Sequence, residues 1–259
     1  MQRMLSISLL LSLLFNSTVA TADEAKATSQ QPSHSEATSS SPAEKVVLQL
    51  VWKHQFEFAG FYAAIEKGFY RERGLEVELR EYENGLDLIE EVQSGRATYG
   101  ISNGKVITER LLGKPLVLMA NYFKRPPLMI SGQQGIRTLK DLRHKRLMIS
   151  PKDLGSPLVK LAFRNAGLVP GKNLKIVPDS FNPDAFINKD VDASADFCTN
   201  EPFFYEQANH PFHVIDIARH LPALGDDYLF TSTRETNEHP RRTRAFIEAS
   251  NEGWRYALG

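Results

Sequence analysis

Apolar side chains recur along the chain with two different spacings. Residues 46–52 form an almost continuous apolar run and residues 75–82 alternate apolar with polar side chains, so both segments are typical of β-strands. Between them, Phe61, Ile65 and Phe69 recur every fourth residue, which places them on one face of a predicted helix. We therefore expect a strand, a helix and a second strand, with these three side chains in the core.

The same alternation of strands and helices continues to the end of the chain, which is typical of βαβ units and predicts mainly parallel sheets covered by helices. Thr138 is a predicted N-cap, and Pro240 lies in the first turn of the last helix. Ser156 and Pro157 begin a helix that Gly167 ends. The predicted strands are 46–52, 75–82, 97–102, 115–123, 126–132, 146–150, 174–178, 191–197, 212–217 and 227–232. The predicted helices include 59–72, 86–94, 106–112, 157–166, 183–189 and 240–257.

The N-terminal residues have a different composition. Residues 1–22 combine Arg3, an apolar run over residues 5–15 and a small-residue ending, which is the layout of a secretory signal peptide because the apolar run is too short to span a bilayer. Residues 23–44 contain no aromatic or large aliphatic side chain, which predicts a disordered tether. The folded domain is expected over residues 45–259.

Charge and cysteine content indicate the class of the protein and its cellular compartment. The chain has 31 basic and 31 acidic residues, so it lacks the basic excess of a nucleic-acid-binding protein. The single cysteine, Cys198, excludes an internal disulfide, and no cysteine lies near the predicted cleavage site to accept a lipid. We therefore expect a periplasmic protein without a lipid anchor.

Five segments, in their order along the chain, resemble the periplasmic substrate-binding proteins of the thiamine-precursor and sulfonate type. They are FAGFYAAIEKGFYRERGLEVEL, SGRATYGIS, TLKDLRHKRLMIS, TNEPFF and HPRRTRAFIEASNEGWRYAL. The resemblance covers residues 45–258 and implies an α/β, type II periplasmic-binding fold, in which two lobes are joined by two crossover segments. It implies that lobe one covers residues 45–122 and 226–259, that lobe two covers residues 123–225, and that a small molecule binds in the cleft.

The resemblance implies a pyrimidine-like ligand, and aromatic side chains near the cleft would suit such a flat ring. Trp52 ends the first strand, and a carboxylate at Glu201 could accept hydrogen bonds from an aminopyrimidine. Each of these residues has a structural alternative. Trp52 could plug lobe one, Asn103 could cap a helix, and Glu201 could be a helix N-terminal acid. The predicted ligand-binding residues are Trp52, Phe56, Tyr62, Ser102, Asn103, Asn200, Glu201 and Tyr228.

Two non-enzymatic functions fit the resemblance. The first is capture of a pyrimidine-type thiamine precursor for an inner-membrane ABC permease. The second is a ligand-sensing input domain attached at its C-terminus to a membrane-bound histidine kinase or diguanylate cyclase. The chain ends at Gly259, earlier than the family pattern implies, so we expect a truncated C-terminus, which favours the sensor. The family default favours the carrier.

A third function, that of the yeast pyrimidine-synthesising enzyme of the same fold, is less compatible with the sequence. Aligned through SGRATYGIS, that enzyme's cofactor-binding lysine falls on Ser102 and its histidine falls near Val106. The segment LGDDYLFTS stands where its cysteines would be. The sequence therefore predicts a binding protein without catalytic residues, cofactor or metal.

Overall fold

The computed structural model describes residues 42–259, which form two five-stranded β-sheets flanked by helices. The predicted signal peptide and almost all of the predicted tether lie outside the described residues. The strands are β1 (Glu44–Gln49), β2 (Leu75–Arg80), β3 (Tyr99–Ser102), β4 (Leu116–Phe123), β5 (Leu128–Gly132), β6 (Arg146–Ile149), β7 (Lys175–Pro178), β8 (Ala193–Phe197), β9 (His213–Ile215) and β10 (Asp226–Ser232). The helices are α1 (Ala59–Glu66), α2 (Leu88–Gln93), α3 (Lys105–Leu111), α4 (Pro151–Leu154), α5 (Pro157–Ala166), α6 (Asp184–Ile187), α7 (Glu201–Gln207), α8 (Thr233–Glu238) and α9 (Pro240–Leu258). Within this part of the chain, no helix has the length and apolar character that a membrane crossing requires.

The two sheets repeat one topology. The first has the order β2-β1-β3-β10-β4, in which β1 pairs in parallel with β2 and β3, and β10 runs antiparallel between β3 and β4. The second has the order β7-β6-β8-β5-β9, in which β6 pairs in parallel with β7 and β8, and β5 runs antiparallel between β8 and β9. We call the first sheet and its helices lobe one, and the second sheet and its helices lobe two. The predicted α/β fold, with two lobes that each contain a mainly parallel sheet, is confirmed.

Two segments of chain connect the lobes. Residues 124–127 join β4 to β5, and residues 216–225 join β9 to β10. The two connections meet where Arg125 Nη2 lies 3.9 Å from Asp216 Oδ2. Asp227, at the start of β10, has a φ of 49°, which is the left-handed region that a non-glycine residue rarely occupies. The second connection therefore enters lobe one through a locally strained backbone.

Local sequence signals place several helix ends correctly. Ser156 Oγ accepts a hydrogen bond from the Val159 N–H at 3.2 Å, and α5 ends at Gly167, whose φ is 67°. The single helix predicted over residues 59–72 is wrong, because α1 ends at Glu66. Gly68 then turns the chain with a φ of 81°, a conformation that glycine adopts without a Cβ clash.

The core of lobe one is built largely of aromatic rings. Phe246 of α9 stacks on Tyr70 at a centroid distance of 5.2 Å and on Tyr99 of β3 at 4.0 Å. Phe61 of α1 packs edge-on against Tyr122 at 5.3 Å. All of these rings except Tyr122 are at most 2% exposed. Much of the aromatic content near the N-terminus of the folded region is therefore core.

Helices α1 and α9 approach each other closely at two glycines. A Cβ atom at Gly253 would lie 2.0 Å from the carbonyl oxygen of Gly60, and a Cβ atom at Gly60 would overlap the Trp254 ring. Trp254 stacks on Tyr122 of β4 at 5.1 Å. The glycine pair therefore lets the last helix press its tryptophan onto the sheet and close the core of lobe one.

Candidate functional site

A cavity of about 210 Å³ lies between the two lobes. Lobe one contributes the segment that follows β1, and lobe two contributes the segments that follow β6, β7 and β8. Since these strands are parallel within each sheet, their carboxyl ends meet at one edge, which is where ligands bind in open α/β folds. The lining residues are Trp52, Lys53, Gln55, Met148, Lys152, Asp153, Asp179, Phe181, Asn182, Pro183, Ser194, Ala195, Asp196, Phe197, Asn200, Glu201, Phe204 and Tyr205.

Trp52 is the principal aromatic side chain that lobe one contributes to the cavity. Its ring stacks on Tyr82 at 5.9 Å within lobe one and meets Phe181 of lobe two at 4.8 Å. The Lys152 Nζ atom, also from lobe two, lies 4.5 Å from the Trp52 ring centroid, within the range of a cation–π contact. The half-buried Trp52 side chain thus lies between the lobes rather than filling the core of lobe one.

The start of helix α7 supplies a carboxylate and an amide to the cavity. Glu201 accepts hydrogen bonds from the Phe197 N–H and from Asn200 Nδ2, both at 2.8 Å. Burial raises the pKa of Glu201 above its ordinary value. Glu201 is both the first residue of α7 and a cavity residue. The same position therefore suits a helix N-terminal acid and a carboxylate that binds a ligand.

Asp196 of β8 forms the most buried carboxyl group of the cavity wall. It is 2% exposed and accepts hydrogen bonds from Ser194 Oγ at 2.5 Å and from Tyr205 Oη at 2.9 Å. Burial, with a smaller effect of the nearby Glu201 charge, raises the pKa of Asp196 to about 7. The two hydroxyl groups fix the orientation of the carboxyl group, so its position in the wall is set before any ligand arrives.

In the lining of the cavity, Lys152 is surrounded by acidic residues of both lobes. Its Nζ atom lies 2.8 Å from Asp153 Oδ1, and its side chain is 7% exposed. Glu57, Asp226 and Asp227 of lobe one lie near enough to interact with this charge. Burial raises the pKa of both Glu57 and Asp226 to about 7, while Lys152 opposes the rise. We call these five residues the Lys152 cluster.

Direct hydrogen bonds also join the lobes around the cavity. Asn103 Nδ2 of lobe one donates to the Lys152 carbonyl oxygen at 3.2 Å. Asn84 Nδ2 of lobe one donates to the Asp179 carbonyl oxygen at 3.0 Å. Together with the Trp52 contacts, these bonds hold the two lobes against each other on either side of the cavity.

Of the predicted aromatic ligand-binding residues, the structure brings only Trp52 to the cavity. Phe56 is 78% exposed, because it begins a short 3₁₀ turn that directs its ring to solvent. Tyr62 is half-buried against the core of lobe one, and its hydroxyl oxygen lies 2.5 Å from His54 Nδ1. Neither ring lines the cavity.

Ser102, Asn103 and Tyr228 are also placed away from the cavity. Ser102 and Asn103 line a neighbouring depression between the lobes, and Asn103 Oδ1 accepts from the Lys105 N–H at 2.9 Å, which is a capping contact. Tyr228 is 7% exposed, and its hydroxyl accepts from the Gly225 N–H at 2.8 Å, which ties down the second connection. Asn200 and Glu201 do lie in the cavity, together with Trp52.

Sequence reasoning did not single out several cavity residues, although some have a visible signal. Ser194 and Asp196 alternate along β8, which places two polar side chains on one face of a strand in a predicted core. Lys152 and Asp153 lie three and four residues after the carboxyl end of β6. Asp179, by contrast, lies in a loop whose composition has no distinguishing feature.

Two lobes with this strand order, connected twice and enclosing a polar and aromatic cavity, are the arrangement of the type II periplasmic-binding fold. The NMT1/THI5-like family profile matches residues 55–259, so the chain belongs to the NMT1/THI5-like family.

Similar proteins differ in the ligands that their names state. The riboflavin-binding protein RibY of Chloroflexus aurantiacus is 23% identical over 259 residues, which cover 97% of this chain and 73% of that protein. The alkanesulfonate-binding protein SsuA of Xanthomonas axonopodis pv. citri, solved with MOPS bound, is 16% identical with a TM-score of 0.62 and covers 82% of this chain and 74% of its own. The periplasmic aliphatic sulphonate binding protein SsuA of Escherichia coli is 18% identical with a TM-score of 0.58. The match covers 82% of this chain and 73% of the Escherichia coli chain. At these identities the structures establish the shared fold.

Proposed function

We propose that this protein captures a small, flat, nitrogen-containing ring in the cavity between its lobes and presents it to an inner-membrane ABC permease. One observation supports this most strongly. Trp52 of lobe one faces a wall of carboxyl groups from lobe two across a cavity at the carboxyl ends of the strands. An aromatic surface provides stacking, and carboxyl oxygens accept hydrogen bonds from ring N–H and amino groups.

Within that class, we propose a pyrimidine-type thiamine precursor as the ligand. The 4-aminopyrimidine edge offers N–H donors beside a ring nitrogen, and Glu201 with Asn200 offers an acceptor beside an amide. The named ligands of the relatives include both a flat ring and sulfonates. The cavity wall favours the ring, since a sulfonate would place its negative charge against the carboxyl groups of Asp196 and Glu201.

Closure of the lobes provides the signal that a permease would recognise. A ligand that contacts Trp52 and the wall of lobe two at once favours the closed arrangement by its differential affinity for that state. The bonds from Asn84 and Asn103 to lobe two form in the same arrangement. The predicted export signal and the family of the protein support a periplasmic location for this cycle.

A thermal-shift screen tests the proposal. The protein is heated with thiamine, its hydroxymethylpyrimidine and thiazole precursors, riboflavin, or MOPS. A ligand at 100 times its dissociation constant stabilises the folded state by about 2.7 kcal/mol, so the pyrimidine should raise the melting temperature by several degrees. Trp52→Ala should abolish the shift, whereas Phe203→Ala should preserve it, because Phe203 is 57% exposed and does not line the cavity.

Two results would contradict the proposal. One is stabilisation by MOPS with no effect of any ring compound. The other is an equal loss of the pyrimidine shift in Trp52→Ala and Phe203→Ala, which would place the binding site elsewhere.

A further inference from the structure

The basic side chains of the cavity are already paired. Lys53 Nζ lies 3.7 Å from Glu81 Oε2, and Lys152 Nζ lies 2.8 Å from Asp153 Oδ1. These two lysines are the basic residues in the lining of the cavity as the structure describes it. Any further acidic group in the lining must therefore be balanced by something other than these side chains.

Three such acidic groups are present, namely Asp179, Asp196 and Glu201. Within residues 42–259, no Lys, Arg or His nitrogen lies within 4.0 Å of their carboxyl oxygens. Burial raises the pKa of each of the three; the charge of Lys152 partly opposes the rise at Asp179, whereas no basic side chain among the described residues opposes it at Asp196 or Glu201.

The hydrogen-bond donors to these carboxyl groups are all neutral. Asp179 Oδ1 accepts from the Phe181 N–H at 2.7 Å, and Asp196 accepts from the two hydroxyl groups of Ser194 and Tyr205. Glu201 accepts from a backbone N–H and from the Asn200 amide. Such donors orient a carboxyl group but leave its negative charge uncompensated, and each carboxylate retains lone pairs for another donor.

The aromatic lining of the cavity is also compatible with a positively charged ligand. Trp52 and Phe181 meet at 4.8 Å in the lining of the cavity. The negative face of an aromatic ring attracts a cation, and the indole of tryptophan does so most strongly. The indole already receives one cation, Lys152 Nζ, at 4.5 Å. Both kinds of lining therefore favour positive over negative charge.

We infer that the ligand binds as a cation, either through a protonated ring or through a short amine arm, and that Asp196 and Glu201 supply its counter-charges. This inference rests on the proposed function, because it assigns a charge to the ligand of that same cavity. It excludes alkanesulfonates as ligands and makes Asp196, which lies deepest in the wall, a determinant of specificity.

A pair of probes that differ in one group tests the inference. The neutral probe is 4-amino-5-hydroxymethyl-2-methylpyrimidine, and the cationic probe is its 5-aminomethyl analogue. Calorimetric titrations are run at pH 8, above the pKa of about 7 of Asp196. We expect the aminomethyl probe to bind at least about tenfold more tightly, since a charge-assisted hydrogen bond is roughly twice as strong as a neutral one.

Three variants locate the origin of that preference. Asp196→Asn and Glu201→Gln preserve the shape of each side chain but remove its charge, so each should reduce the preference severalfold. Asp190→Asn removes an exposed carboxylate of lobe two that does not line the cavity, and it should leave the preference unchanged. Circular dichroism of each variant verifies that it is folded before titration.

The outcomes separate the inference from the proposed function. If both probes bind wild-type protein equally, or the hydroxymethyl probe binds more tightly, the inference is overturned and the proposed function stands. If the preference is present but survives both Asp196→Asn and Glu201→Gln, the assignment of the counter-charges is overturned. If neither probe binds folded protein while MOPS does, the proposed function fails and the inference fails with it.

Discussion

Replacement of Lys152 by methionine removes the only basic side chain of the Lys152 cluster while retaining most of its volume. Lys152 and Asp153 have side chains that are 7% and 8% exposed, so their 2.8 Å ion pair is shielded from solvent. Breaking a buried pair by removal of one partner costs about 3–5 kcal/mol, because the remaining charge is left uncompensated. We expect a loss in this range at pH 8.

The pH dependence of that loss is the more specific part of the prediction. Glu57 and Asp226 have pKa values of about 7 even with Lys152 present, and its removal raises them further. The folded variant therefore keeps protons on Glu57 and Asp226 between about pH 7 and pH 8, where folded wild type has begun to release them. Each additional proton changes the stability difference by about 1.4 kcal/mol per pH unit, so the loss should shrink markedly at pH 5.

Urea unfolding followed by circular dichroism measures both values. Lys160→Met is the matched control, because Lys160 lies on the exposed face of α5 in the same lobe and should give a change below about 0.5 kcal/mol. An equal loss at pH 5 and pH 8, or a Lys152→Met variant as stable as Lys160→Met, would refute the description of this cluster as a buried cation among acids.

Two further predictions concern packing and pH. Gly253→Ala should destabilise the protein by about 1–3 kcal/mol or more in urea unfolding, because its Cβ would lie 2.0 Å from the Gly60 carbonyl oxygen. The control Glu248→Ala, on the exposed face of α9, should be nearly neutral. Equal effects of the two substitutions would disprove the close helix contact. The melting temperature of the unliganded wild-type protein should fall as the pH rises from about 4.5 to about 7. In this interval Asp196, Glu57 and Asp226 hold protons in the folded state, whereas the unfolded chain releases them. A melting temperature that rises steadily over the same interval in calorimetry would contradict this prediction.

The alternation of apolar runs was sufficient to predict the strands and the α/β class, whereas the division into two lobes was implied by the family resemblance. Each strand of the two sheets lies within or overlaps a predicted strand, because a buried parallel strand must be apolar along most of its length. The end of α1 was not predicted, since the periodic spacing of Ile65 and Phe69 continues through Gly68. A glycine in a helical pattern is compatible with either continuation or a turn, and tertiary packing decides between them.

The site was less predictable than the fold for a physical reason. Trp52 and Glu201 could be chosen because each follows a strand, and carboxyl ends of strands meet at one edge. The position of Trp52 opposite Asp179 and Glu201 depends on how two separate lobes come together, which no local pattern records. The outward direction of Phe56 likewise depends on a single 3₁₀ turn. A cavity formed by loops of two lobes therefore requires the tertiary structure.

A crystal structure with the 5-aminomethyl pyrimidine bound tests the central claim most directly. The account predicts that the ring lies between the lobes with atoms within about 4.5 Å of the Trp52 indole, and that its amino groups donate to Asp196 and Glu201. Density for the ring in the depression beside Ser102 and Asn103, or anywhere outside the Trp52 cavity, would contradict it.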